Sequence, residues 1–283
     1  MAQDSKTILA HLQEGANSLK DKGVENPHRE ARLLMALALD ISVEDLVLKT
    51  DANLSFDTEK VWRELLSRRL NREPFSHLRQ EKEFFGLRFR VNSSVLTPRP
   101  ETEALIEIAL DWVKEKGLKS GELIDLGTGS GCIVLSLAKR LGEAWAYHAL
   151  DISSEALKLA QINADRLGLK KVNWIHSDLR AYEPKSSFDL IVSNPPYLSE
   201  DFLETLEPEI KNYEPRISLC SGDHGDEILK SILNRWSGAL KTPGLMILET
   251  KDEAQRSRLL SFASGLGVNG LRQQDCFLLW ECR

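Results

Sequence analysis

Cysteine is scarce in this sequence, with 4 in 283 residues, and none of Cys132, Cys220, Cys276 and Cys282 stands at C-x-x-C spacing to another. That argues against a disulfide scaffold and against a cysteine zinc site, and it suits a reducing compartment. No His pair stands near them at zinc-ligand spacing, so no metal is expected. Long apolar runs are also missing: the stretch from Leu33 to Leu39 is far too short to span a bilayer. Residues Met1 to Lys6 carry an acid and no apolar core, so no signal peptide is expected, and the chain is read as cytoplasmic and membrane-free. Positive charge is not in excess. The net charge of -6 argues against a protein held on nucleic acid by its overall charge. Glycine (17) and proline (10) are too few for a collagen-like or low-complexity chain.

What is present is a globular composition, 42% hydrophobic and 28% charged, in two textures. Through residue 80 the apolar positions recur at helical spacing: Ile8, Leu9, Leu12 and Leu19, then Ala31, Leu34, Met35 and Ala38, then Val61, Leu65, Leu66 and Leu70. Gly23, Asn26-Pro27, Asp51, Asn53 and Pro74 punctuate them. A helical substrate-recognition domain is expected over 1–80. Residues 81–97 read as a β-hairpin linker, with Leu87, Phe89 and Val91 alternating after the turn signal at Gly86. From 98 to 283 strands and helices alternate. Strands are expected at Leu123–Leu126, Trp145–Leu150, Val172–Ile175, Phe188–Val192, Leu245–Leu248 and Cys276–Trp280. Helices are expected at Cys132–Leu141, Ser154–Leu167, Asp226–Leu240 and Ala254–Phe262. That alternation predicts an α/β, doubly wound, mostly parallel sheet.

The first chemistry-bearing segment, Asp125-Leu126-Gly127-Thr128-Gly129-Ser130-Gly131, falls where a strand gives way to a helix. Ligands bind at such places in open α/β sheets, and glycine lets the backbone approach them without a Cβ clash. A dinucleotide G-x-G-x-x-G is not met, since Cys132 and Val134 occupy the required glycine positions, and no Walker lysine follows. One strand later Asp151 can accept both ribose hydroxyls of a nucleoside. Two strands beyond it comes Asn194-Pro195-Pro196-Tyr197. The prolines fix an extended backbone that keeps its carbonyl acceptors and loses its donors. Asn194 adds a side-chain acceptor and Tyr197 a flat face, a set suited to a planar –NH2 group.

These motifs together resemble S-adenosylmethionine-dependent amino-methyltransferases. Within them the chain resembles the PrmC/HemK family, the protein-(glutamine-N5) methyltransferases of class I peptide-chain release factors. The narrower match rests on Phe84, Gly86, Phe89 and Val91, on Val95 to Glu103 with its Pro98-Arg99-Pro100-Glu101-Thr102, on Asp151, Ser153, Asn163 and Ala164, and on Tyr213-Glu214-Pro215-Arg216. The resemblance implies a seven-stranded Rossmann-like sheet with one antiparallel strand. It implies S-adenosylmethionine held by Gly127, Thr128, Gly129, Ser130, Gly131, Asp151, Asp178, Leu179 and Asn194, with S-adenosylhomocysteine as product. Catalysis and glutamine binding would fall to Asn194, Pro195, Pro196 and Tyr197, with Arg99 also on the substrate. A monomer acting on release factors, with no stable nucleic-acid binding, is the corresponding expectation. The chain departs from the family at Leu179, where Trp is common, and at Lys251, where Gly is usual.

Two rival readings share the motifs: a nucleic-acid adenine or guanine amino-methyltransferase, and a binding module with a decayed site. The net charge weighs against the first, and the intact glycine loop against the second. Arg63, Arg68, Arg69, Arg72 and Arg79 form a basic run read either as a solvated face, with Arg68 and Arg72 sharing one helix side, or as a docking surface. Glu249, at a strand end, is read as structural or as part of the rim rather than as catalytic.

Overall fold

The computed structural model of the chain describes residues 6–268 and 270–282; residues 1–5, which carry most of the signal-peptide reading, lie outside them. The chain divides into two compact units, Met1–Gln80 with Pro208–Tyr213, and Glu81–Glu207 with Glu214–Arg283.

The first unit is helical: α1 (Ile8–Asp21), α2 (Pro27–Leu39), α3 (Val43–Val47), α4 (Phe56–Leu70) and α5 (Phe75–Arg79). Hydroxyl side chains start three of them. Thr7, Ser42 and Ser55 accept the N–H groups of Ala10, Asp45 and Thr58, donors that the first helical turn leaves unpaired. Pro27 opens α2, where its missing N–H costs nothing. Leu19, Leu34, Met35, Leu46 and Trp62 fill the core. Gly15 lets Trp62 in, because a Cβ there would lie 2.7 Å from the indole ring.

The basic run does not form one face: Arg63 and Arg79 are exposed, whereas Arg68, Arg69 and Arg72 are drawn to acids of their own unit. Helix α4 ends at Leu70, so Arg72 lies beyond it in a left-handed turn and shares no helix side with Arg68. Arg69 is buried, with its Nε on Glu30 at 2.8 Å and its Nη1 on Glu209 at 2.9 Å. Arg72 reaches the other Glu209 oxygen at 2.7 Å and the carbonyls of Lys22 and Gly23. Arg68 pairs with Glu73, and Arg63 with Glu59. These guanidinium groups hold the short helix Pro208–Tyr213 in the unit, and Tyr213 adds a hydroxyl hydrogen bond to the Asn71 carbonyl.

The second unit opens with a hairpin of β1 (Glu81–Phe84) and β2 (Leu87–Arg90), whose Phe84 and Phe89 meet edge to face at 6.1 Å in the main core. Then follow α6 (Glu103–Glu115), β3 (Gly121–Leu126), α7 (Cys132–Leu141), β4 (Trp145–Asp151), α8 (Ser154–Leu167), β5 (Val172–His176), β6 (Phe188–Ser193), α9 (Glu200–Leu203) and, in the first unit, α10 (Pro208–Tyr213). The chain continues with α11 (Glu227–Trp236), β7 (Leu240–Glu249), α12 (Glu253–Gly265), β8 (Leu271–Gln274) and β9 (Phe277–Cys282). The sheet runs β5-β4-β3-β6-β7-β9-β8, and β9 pairs antiparallel with both its neighbours. It is the α/β, doubly wound, seven-stranded sheet that the resemblance implies. Apolar layers cover both faces. No described helix is long and apolar enough to cross a membrane.

Two expected boundaries move furthest. The helix expected to reach Leu240 stops at Trp236 in a short 3-10 turn, where Gly238 is a poor helix former, and β7 starts at Leu240 rather than Leu245. Strand β8 was not foreseen. It is an edge strand whose residues after Leu271 are exposed, so no apolar alternation marks it.

Removal of the Arg69 guanidinium leaves the half-buried Glu30 without its countercharge and Glu209 with Arg72 alone. Arg69→Ala is expected to lower the unfolding free energy of this unit by about 3 kcal/mol in urea denaturation. Arg63→Ala, which loses only an exposed pair, should leave it nearly unchanged.

Candidate active site

The strand order reverses at β3, which lies between β4 and β6. In an open sheet that is where a crevice forms beyond the carboxyl ends. A cavity of about 390 Å³ lies there, lined by Gly127, Thr128, Gly129, Ser130, Asp151, Asp178, Leu179, Asn194, Pro196 and Arg99, among others. Gly131, Pro195 and Tyr197 are not among its lining residues.

The glycine loop is shaped by positive φ at Gly127 (74°), Gly129 (55°) and Gly131 (80°). No atom stands within 4 Å of a Cβ built at Gly127 or Gly129, so their backbones are open to a ligand. Gly131 is different: a Cβ there would meet Leu135 and Ala160 at 3.0 and 3.1 Å, so this glycine lets α7 pack. The loop is anchored from three sides. The N–H groups of Gly127 and Thr128 both donate to the Leu150 carbonyl, at 2.8 and 3.0 Å. Asn163, fully buried, donates to the Ser130 carbonyl at 2.9 Å while bonding both backbone groups of Arg90. Thr128 donates its hydroxyl to Asp125 Oδ2 at 2.7 Å.

Asp125 itself is wholly buried, and its Oδ1 has no hydrogen-bond partner among the described residues. Burial raises its carboxyl from 3.8 to about 7, against the pull of the Thr128 hydroxyl and the Val134 N–H. Asp151, which lines the cavity, accepts the N–H of Gly129 at 2.8 Å on one oxygen and that of Ser153 at 2.9 Å on the other. Its pKa is raised by burial, which outweighs those hydrogen bonds. Asp178 is gripped by Arg180 through the guanidinium and the backbone N–H, which holds its pKa low. Leu179 is buried, and its carbonyl takes the Trp236 indole N–H at 3.0 Å.

At the other end of the cavity, Asn194 Nδ2 donates to the Thr102 hydroxyl at 3.0 Å, and Thr102 donates to Glu249 Oε2 at 2.7 Å. The Tyr197 hydroxyl donates to Glu249 Oε1 at 3.3 Å. Burial raises the Glu249 pKa, partly offset by these two donors, and raises that of Tyr197. Arg99 Nη2 pairs with Glu214 Oε2 at 2.7 Å, and Glu214 also accepts the Thr97 N–H. Among the described residues, no three His, Cys, Asp or Glu side chains group to hold a metal ion.

Residues 10–79 match the PrmC N-terminal domain, and residues 118–261 match a methyltransferase domain. A release factor glutamine methyltransferase of Caulobacter vibrioides is 36% identical over 267 residues, covering 92% of this chain and 89% of its own length. One of Geobacter sulfurreducens is 37% identical over 233 residues, covering 82% of this chain and 79% of its own. The chain belongs to the release factor glutamine methyltransferase family. Among solved structures, the Thermus thermophilus 16S rRNA N2 G1207 methyltransferase in complex with AdoMet and guanosine aligns with a TM-score of 0.51 at 19% identity, over 72% of this chain and 50% of that one. At that identity the similarity is one of fold.

The structure also accounts for how this family member carries its departures. Lys251 projects over the Phe202 ring at 3.8 Å and lies beside Asp252, away from the cavity lining. Leu179 contributes an apolar side chain to the cavity wall. Sequence reasoning missed Thr102 as the partner of Asn194 and Glu249 as the partner of Thr102. They lie 147 residues apart, and no local spacing rule joins them.

The raised Asp125 pKa has a measurable sign. Between 3.8 and about 7 the folded chain keeps a proton that the unfolded chain has lost. The stability this contributes is complete below the lower value and lost as the pH rises through the upper one. Asp125→Asn abolishes the dependence. Its stability relative to the unsubstituted protein is expected to increase from about pH 5 to about pH 8 in urea titrations, and a flat difference would refute the assignment.

Proposed function

We propose that this chain transfers a methyl group from S-adenosylmethionine to the side-chain amide nitrogen of a glutamine in class I peptide-chain release factors. The observation that carries the reading is the Asn194 side chain. Its Nδ2 donates to Thr102, while its Oδ1 makes no hydrogen bond among the described residues. An acceptor is thus kept ready at the cavity wall.

The residues present fit the methyl donor. Gly127 and Gly129 offer open backbone, Asp151 keeps lone pairs for ribose hydroxyls, and Ile152 and Leu179 supply apolar wall. When bound, S-adenosylmethionine supplies an electrophilic methyl group on a sulfonium. Thr128, Ser130 and Asp178, which line the cavity, shape the rest of that region in this proposal, and Gly131 contributes by letting α7 pack.

A glutamine amide is a poor nucleophile because its nitrogen lone pair is delocalised into the carbonyl. Asn194 Oδ1 and the Pro195 carbonyl each accept one of its N–H hydrogens, which aims the nitrogen along the line of transfer. As positive charge builds on that nitrogen, both acceptors bind its hydrogens more strongly, so they favour the transition state over the ground state. Holding the amide in line can contribute part of the ~7–11 kcal/mol available to well-oriented reactions. The Pro195-Pro196 backbone does this without a flexible φ. The Tyr197 ring lies against the amide and is no general base, since its hydroxyl is committed to Glu249 and its pKa is raised. No early base is needed, because the methylated amide loses its extra proton readily. Arg99, steadied by Glu214, is the proposed contact to the release-factor backbone. The same reading makes the cytoplasm the compartment and the release factor the partner.

Asn194→Ala is expected to cut methyl transfer by about 100-fold or more while S-adenosylmethionine affinity falls by much less. The check is labelled S-adenosylmethionine incubated with release factor in one tube and nucleic acid in another. Near-normal transfer by the variant, or label on nucleic acid instead of glutamine, would sink the reading.

A further inference from the structure

We propose that Glu249 and Thr102 form a positioning relay that decides which end of the Asn194 amide faces the substrate. The proposal deepens the function above and rests on it for the identity of the substrate amide.

An Asn side chain is nearly symmetrical in shape. Turned over, it would present an NH2 group, and two donors would then face each other across the reacting nitrogen. Nothing in the Asn-Pro-Pro-Tyr backbone prevents that turn. What prevents it is the direction of the hydrogen bonds behind Asn194. An ionised carboxylate accepts only. Glu249 is 3% exposed and receives the Thr102 hydroxyl hydrogen on Oε2 at 2.7 Å. That hydroxyl has one hydrogen, so toward Asn194 it presents oxygen alone. Only the Asn194 Nδ2 can satisfy it, and it does so at 3.0 Å. Oδ1 is therefore turned to the cavity side. Flipping the amide would set two oxygens against each other in a buried place, where such a clash is costly.

Geometry supports a dedicated function for Thr102. It is 1% exposed, follows the rigid Pro98-Arg99-Pro100 stretch at the start of α6, and is itself a cavity-lining residue. Tyr197 fills the second oxygen of Glu249, so the carboxylate holds one of the side chains that flank the two prolines directly and the other, Asn194, through Thr102. The relay thus selects a donor-only –NH2 partner, and it does so with residues that need not touch the substrate.

The test compares Thr102→Val, of nearly the same shape but without the hydroxyl, with Thr102→Ser, which keeps it. Thr102→Ala serves as a second hydroxyl-free variant that adds no methyl to the packed wall. The hydroxyl-free variants are expected to lose about 10- to 100-fold in kcat on release factor, with S-adenosylmethionine affinity unchanged within about twofold, and Thr102→Ser to recover most of the loss. A second arm needs no turnover. The Asn194 side-chain NH2 resonances, assigned by their loss in Asn194→Ala, should carry the shift of a hydrogen-bonded amide in the unsubstituted protein and in Thr102→Ser, and lose it in Thr102→Val. Full kcat in Thr102→Val, equal loss in Val and Ser variants, or unmoved resonances would overturn the relay. Should the unsubstituted protein fail to label glutamine, the function above falls while the resonance arm still decides the relay.

Discussion

The parallel pairing of β3 with β4 on one side and β6 on the other is the constraint on which the site depends. Leu126 lies opposite Leu150, and Asp125 opposite both Ala149 and Val192. Because these strands end together, the glycine loop, Asp151 and the segment beginning at Asn194 all emerge at one edge. The pairing continues past the last strand residues. The Leu150 carbonyl takes the first two N–H groups of the loop, and the Ser193 hydroxyl donates to the Leu126 carbonyl at 2.6 Å. A slip of one residue would turn every side chain to the opposite face. Ile124, Leu126 and Ile191 would trade places with residues of the other apolar layer, so the two cores on either side of the sheet enforce the register that the chemistry uses.

That edge carries a concentration of buried acids, and each is costly in isolation. Burial raises the pKa of Asp125, Asp151, Glu214 and Glu249. The cost is offset unequally. Glu214 has the Arg99 guanidinium, and Asp151 has two backbone N–H groups. Glu249 has two hydroxyls, while Asp125 keeps one oxygen with no partner among the described residues. The helical unit shows the contrasting solution. There Glu209 is held by Arg69 and Arg72, and its pKa is lowered because the paired guanidinium groups outweigh burial. Charge is neutralised where it only ties helices together. At the sheet edge the compensation is less complete, and Asp125 is the acid left with an unpartnered oxygen among the described residues.

Much of this was legible in the chain. The glycine loop, Asp151 and Asn194-Pro195-Pro196-Tyr197 stand at strand ends, and strand ends are visible as apolar runs closed by turn residues. The sheet's edge was not, because β8 exposes Arg272, Gln273 and Gln274 and has no apolar face to repeat. The basic run misled for a related reason. Sequence shows that arginines are clustered but not that their acids arrive from Glu30, 39 residues before Arg69, and Glu209, 140 residues after it. Thr102 and Glu249 escaped notice in the same way. Each was visible as a residue type at an element's end, yet a hydrogen bond has a direction only once both partners are in place.

Direction is what a carboxylate supplies that a neutral partner does not. A line of hydroxyls and amides can orient its hydrogens either way at similar energy, since each group both donates and accepts. One acceptor-only terminus removes that degeneracy for every member of the line. Glu249 is such a terminus for Thr102 and, through it, for Asn194, and it is equally one for Tyr197. Desolvation works against keeping it ionised, and the two donors that it orients are also what lower its pKa back toward the ordinary range. The side chains flanking the two prolines and the carboxylate behind them therefore stabilise one another. Loss of either hydroxyl would weaken the charge that gives the remaining one its direction.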